Sequence, residues 1–219
     1  MRFNLKMIVC SLCLFLFFAC LCPYEEAQGQ EKSTDSLSGP FVKDRLSAQV
    51  VTGALFSPTT WTNDHATFRY AQTNLRFGWM ASEPRESKYF GRGNVELLFE
   101  LTNSIIFEGW GNYLRGFTFL ARYNFLLPNP KWRPYIQIGA GVVVNDAYED
   151  TSQDEIGQLV EFTPQGSVGL RYFIDREWTL DVEAMFHHIS NAGLSERNRG
   201  INALGGFLGV TYFFDELWH

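Results

Sequence analysis

The chain has 219 residues, 46% of them hydrophobic and 16% aromatic, with 18 basic against 24 acidic side chains and a formal net charge of −6. A mildly acidic single-domain length without a basic tract excludes nucleic acid as a partner. All four cysteines (Cys10, Cys13, Cys20, Cys22) lie near the start, so a product trimmed of that stretch has no disulfide, no cysteine nucleophile and no thiolate metal site.

Residues 1–29 read as a signal peptide. Arg2 and Lys6 form the positive n-region, Met7 to Cys22 is almost wholly apolar, and Ala27-Gln28-Gly29 supplies the small-x-small pattern before Gln30. Cys20 is a poor lipidation site, because Phe17 and Phe18 stand where a lipoprotein signal needs smaller residues. Residues 30–43 open on the polar run QEKSTDSLSGP and are expected to form a flexible periplasmic lead-in. The remainder, 44–219, contains no apolar run long enough for a transmembrane helix.

That remainder divides into eight segments rich in β-formers, at about 44–56, 67–80, 92–104, 115–126, 132–145, 159–173, 177–189 and 203–214. Polarity alternates residue by residue within them, which assigns each side chain to one of two faces. In the third, Val95, Leu97, Phe99 and Leu101 alternate with Asn94, Glu96, Glu100 and Thr102; in the fourth, Phe117, Phe119, Ala121, Tyr123 and Phe125 oppose Thr118, Arg122 and Asn124. The sixth sets Phe162, Val168, Leu170 and Tyr172 against Glu161, Thr163, Gln165, Ser167 and Arg171, and the seventh sets Leu180, Val182, Ala184 and Phe186 against Asp181 and Glu183. Alternation by itself also suits a soluble sandwich. Three features favour a membrane barrel: the segments are long for soluble strands, the polar face carries both signs of charge, and connections alternate between short (127–131, 174–176) and long (about 105–114, 146–158, 190–202). The connection at about 81–91 is a longer exception. Trp79, Tyr123, Phe125, Trp132, Tyr172, Trp178, Tyr212 and Phe214 gather at strand ends on the short-turn side, as an interfacial girdle does. The expected fold is all-β: an eight-stranded antiparallel transmembrane β-barrel of outer-membrane type with both termini periplasmic. Glu96, Glu100, Glu161, Asp181 and Glu183, with Arg76, Arg122, Arg133 and Arg171, are expected to close its lumen as a paired network.

The stretch Phe186 to Phe214 carries the candidate chemistry. Extending the alternation turns His188, Ser190 and Asn202 toward lipid near the long-loop rim, where unpaired polar groups are costly. A hydroxyl two residues from an imidazole on one strand face lies about 7 Å away along the backbone, a gap that rotamers can close. The pattern reads as Ser190 the nucleophile, His188 the general base and Asn202 the group that holds the ring's tautomer. Asn191, Asn198 and the backbone N–H of Gly193 are nearby donors for an oxyanion. An ordinary polar rim, with SNAG and NRG as plain turns, is the bland reading. The acidic loop Asp146, Glu149, Asp150, Asp154 and Glu155 matches no calcium-loop spacing. His187 and His188 point to opposite faces, so no metal site and no cofactor is expected.

The run HISNAG, followed by Asn-x-Gly at Asn198 to Gly200 between two amphipathic strands, resembles the lipid A 3-O-deacylase (PagL) family of outer-membrane acyl hydrolases. The resemblance implies that His188 and Ser190 are the catalytic pair and that Asn191, Gly193 and Asn198 surround the oxyanion site. It also implies lipid A, or lipopolysaccharide of the outer leaflet, as substrate, with the active site in the outer membrane at the extracellular leaflet. The family's third triad member is a Glu; here that position is Asn202, and Asn202 or the loop residue Glu196 are the two readings of the orienting group. Self-association into a homodimer is left open. The competing functional reading is a non-enzymatic barrel with a structural, adhesion or binding role carried by its loops; a soluble lipocalin-type protein is a third.

Overall fold

The structure, a computed structural model, describes residues 39–57, 67–88 and 91–214. The expected signal peptide and residues 30–38 of the expected lead-in lie outside the described residues. The described residues form ten strands: β1 (Leu46–Ser57), β2 (Phe68–Met80), β3 (Arg85–Ser87), β4 (Gly91–Glu108), β5 (Tyr113–Phe125), β6 (Trp132–Asn145), β7 (Val160–Phe162), β8 (Gln165–Phe173), β9 (Trp178–Ile189) and β10 (Ile201–Phe213). All pairings are antiparallel, and β1–β10 together with β2–β4 closes the ring, so the wall has eight staves. β3 is a short extension of the β2–β4 hairpin, where the exceptional connection was expected. β7 and β8 are two pieces of one stave, interrupted at Thr163-Pro164, because proline offers no N–H to the ladder.

The alternation predicts the faces correctly: along β2 every second residue is buried from Phe68 to Met80, and Leu75, Phe77 and Trp79 face out. One connection differs from expectation. Residues 105–108 are strand, because Ile105, Ile106 and Phe107 continue the alternation, and the turn occupies only 109–112. Asp146 clamps that turn, accepting from Asn112 N at 2.7 Å and Asn112 Nδ2 at 2.8 Å.

A charged layer fills the middle of the lumen. Arg76 gives Nε to Glu100 at 2.6 Å and both terminal nitrogens to Glu183 at 2.7 and 3.0 Å. Glu183 also accepts from Tyr135 Oη and Gln137 Nε2. Arg122 and Arg171 share Glu96, each at 3.3 Å, and Arg171 reaches Asp181 at 3.4 Å. Such charges persist out of water only when paired and hydrogen-bonded. Two expected members lie elsewhere. Arg133 bonds the carbonyls of Leu127 and Asn129 in the β5–β6 turn, and Glu161 accepts from Gly157 N and Gln158 N in the β6–β7 loop.

Apolar clusters cap the layer at both ends. Toward the long loops, Phe68, Tyr70, Ile106, Leu114, Met185 and Ile189 pack with Trp110 and Tyr148. Toward the short turns, Phe41, Met80, Leu126, Phe173 and Phe213 form a plug. Phe41 falls within the segment read as lead-in, yet it is fully buried, 5.9 Å from the Phe173 ring and 5.4 Å from the Phe213 ring. Outside, the aromatic girdle forms as pairs, Trp132 with Tyr172 at 4.7 Å and Trp178 with Tyr212 at 4.8 Å.

Candidate active site

β9 and β10 pair in a register that puts Asn202 directly opposite His188. A strand's two-residue period brings Ser190 onto the same outward face. Ser190 leaves β9 through an isolated bridge to Phe162, in which Phe162 N donates to Ser190 O at 2.8 Å and Ser190 N to Phe162 O at 3.1 Å. The nucleophile candidate is thus held by backbone on the β7 side. His188 Nε2 lies 2.9 Å from Ser190 Oγ, and His188 Nδ1 lies 2.7 Å from Asn202 Oδ1. An amide oxygen only accepts, so Nδ1 carries the proton, and Nε2 accepts from the serine hydroxyl. That polarity suits a general base. All three side chains are half-buried on the lipid-facing surface. His187 points the other way, into the lumen, where its Nδ1 lies 2.6 Å from Tyr70 Oη.

The donors named from the sequence have unequal parts. Asn191 is fully buried and braces its own turn: Nδ2 donates to Arg197 O at 2.9 Å, while Oδ1 accepts from Gly193 N at 3.0 Å. Asn198 Oδ1 accepts from Asn191 N at 2.8 Å, so the amide NH2 of Asn198 is the group left to donate. Glu196 is exposed, and Asn202 occupies the ring nitrogen that an orienting Glu196 would need.

Sequence reasoning missed two residues of the surround. Gly200 has φ +74°, and a Cβ there would lie 3.1 Å from His188 Cε1 and 3.3 Å from the Ser190 Cβ, so a side chain would press on the pair. Arg197 fastens the 191–199 turn to the neighbouring loop, donating to the carbonyls of Tyr148 at 2.7 Å and Asp150 at 2.8 Å. Arg199 N and Gly200 N add bonds to Asp154 O and Glu155 O. Only the Asn-x-Gly pattern hinted at Gly200; nothing local marks Arg197, because its partners are distant backbone carbonyls.

Immediately toward the membrane centre, the outer surface opens into an apolar groove of about 430 Å³. Gly166 and Ala184 form its floor, and Val168, Phe186 and Leu204 flank it. A Cβ at Gly166 would approach no side chain within 4 Å, so the missing atoms there are open space at the surface.

Residues 52–211, well over half of the chain, match the model of the lipid A 3-O-deacylase (PagL) family. The chain belongs to this family. No curated protein matches it. Among solved structures, the crystal structure of the outer membrane enzyme PagL is 20% identical with a TM-score of 0.51, covering 73% of this chain and 97% of that one. Neisserial surface protein A is 10% identical with a TM-score of 0.55, covering 77% of this chain and 97% of that one. Both likenesses are of fold. Membership in the PagL family makes the protein a lipid A deacylase-like enzyme of the bacterial outer membrane. The groove runs from the His188–Ser190 pair along the lipid-facing wall.

Proposed function

We propose that the protein is a serine esterase that removes the 3-O-linked acyl chain of lipid A. The observation that carries this reading is the continuous Ser190–His188–Asn202 hydrogen-bond chain on the lipid-facing surface at the extracellular rim. His188 Nε2 takes the hydroxyl proton as Ser190 Oγ attacks the ester carbonyl, and Asn202 holds Nδ1–H while the imidazolium forms. We assign the oxyanion to Asn198 Nδ2 and to Gly193 N–H, which exchanges its Asn191 acceptor for the developing charge. The tetrahedral species collapses as His188 returns the proton to the sugar oxygen, which leaves as the alcohol. Water, activated by the same imidazole, then releases the acyl chain as a carboxylate. The apolar groove below Ser190 takes that chain, and the mechanism needs one copy of the protein only.

The test is mass spectrometry of lipid A from cells expressing the wild type beside a Ser190→Ala control. Loss of one ester-linked 3-hydroxyacyl mass with the wild type, and none with Ser190→Ala, is expected. Unchanged lipid A in both would return the chain to the non-enzymatic reading; persistent hydrolysis by purified Ser190→Ala would end the serine mechanism.

A further inference from the structure

Away from the candidate active site, polar residues on the outward wall collect on one flank. Thr52, Thr73, Asn103 and Arg115 are direct register partners on four consecutive staves, β1, β2, β4 and β5, and all four are exposed on the lipid-facing side. Thr52 Oγ1 and Thr73 Oγ1 lie 3.0 Å apart. Arg115 Nε donates to Asn103 Oδ1 at 3.0 Å, and its guanidinium lies 4.8 Å from the Tyr113 ring centre. Nearby, Arg69 and Glu108 neutralise each other at 3.0 Å.

Arg115 is therefore an outward positive charge whose side chain is held in place but not neutralised. Among the described residues, no carboxylate pairs with it, and no hydrogen bond reaches its terminal nitrogens. A charge on this surface persists where it meets headgroups, and Arg115 lies two residues inside the extracellular start of β5. Its Nε bond and ring contact orient the free edge of the guanidinium, a planar two-donor fork that matches a phosphate. The anionic groups at that depth of an outer leaflet are the lipid A phosphates, and Asn103 suits an adjoining sugar hydroxyl; Thr52 and Thr73 lie at mid-strand and satisfy each other. Arg115, on β5, is four staves from β10 and three from β9 in an eight-stave ring, so a lipid seated at Ser190 would have to reach more than a third of the way round the wall to touch it.

We propose that Arg115, with Asn103 and Tyr113, binds the phosphate of a second lipid A molecule, which is held and not cleaved. The proposal rests on the outer-membrane location and stands apart from the serine mechanism. The experiment is native mass spectrometry of the folded barrel in detergent, in a Ser190→Ala background so that the probe is not consumed. The probes are bisphosphorylated lipid A, the same lipid A stripped of phosphate, and inorganic phosphate as competitor. Two lipid A molecules bound per barrel are expected. Arg115→Ala weakens the second by about tenfold or more, the size of a lost charge-assisted hydrogen bond. Arg115→Lys, keeping charge without the fork, falls between. Equal second-site binding in Arg115→Ala overturns the proposal, as does equal binding of stripped lipid A. Displacement by inorganic phosphate overturns the assignment to a lipid. Should Arg115→Ala fail to show heat-modifiable migration, Arg115→Lys and the stripped probe on unaltered Arg115 decide. With Ser190 intact, Arg115→Ala keeps turnover within about twofold of wild type, as expected for a site remote from the chemistry. Hydrolysis surviving Ser190→Ala would overturn the esterase reading while leaving the second-site comparison of Arg115 variants in force.

Discussion

An amide at position 202 fixes the His188 tautomer at 2.7 Å but brings no charge to stabilise the imidazolium. Asn202→Glu is therefore expected to preserve or raise kcat, since a carboxylate both orients the ring and stabilises its protonated form. Asn202→Ala removes the bond and is expected to lower kcat by one to several orders of magnitude with little change in KM. Turnover of lipid A in detergent by the two variants checks this; full activity in Asn202→Ala would remove the residue from the mechanism. The His188, Ser190 and Asn202 cluster was legible in the sequence because strand parity alone puts all three on one face. The roles of Asn191, Gly200 and Arg197 were not, since they depend on how two irregular loops meet, and no periodicity encodes that.

β9 carries the inside and outside of the barrel on adjacent residues. Ala184 faces lipid in the groove floor, and Ala184→Arg is expected to cost about 2–4 kcal/mol of barrel stability, the range for a mid-membrane outward arginine. Glu183 faces the lumen and holds both terminal nitrogens of Arg76, so Glu183→Gln breaks a buried pair at a cost of about 3–5 kcal/mol. Urea unfolding of the folded barrel in lipid vesicles measures both; indifference to Ala184→Arg would invert the assignment of faces. Parity tells which way Glu183 points but is silent on what it holds, so its four polar contacts were beyond reach of the sequence. Strand boundaries were read best where turn residues are dense. They were misread at 105–108, where an expected loop proved to be a continued strand, and within the sixth segment, which Pro164 divides.

The whole molecule is closed twice, by backbone around its wall and by side chains along its axis. The apolar cluster at the loop end, the charged layer and the Phe41 plug together leave the lumen filled, as eight staves require. Phe41→Ala empties the plug at the short-turn end and is expected to cost about 3–5 kcal/mol, read as a lower urea midpoint with hydrolysis of lipid A unchanged at low denaturant. An unaltered midpoint would mean that the plug contributes nothing to stability. The eight-stave architecture was legible in eight alternating segments; the plug was not, because a lone aromatic in a polar run carries no period.

The plug and the β1–β10 seam have a consequence for how the barrel is made. Phe41, ahead of the first strand, packs on Phe213 at the end of the last, and β1 pairs with β10 along its length. Neither contact exists until nearly the whole chain has been delivered. Before that moment two strand edges are bare, and bare edges recruit other chains. Closure joins residues at the greatest sequence separation, which makes it a slow step. Assembly of this protein therefore has a single late commitment, and the nascent chain must be escorted until it is reached.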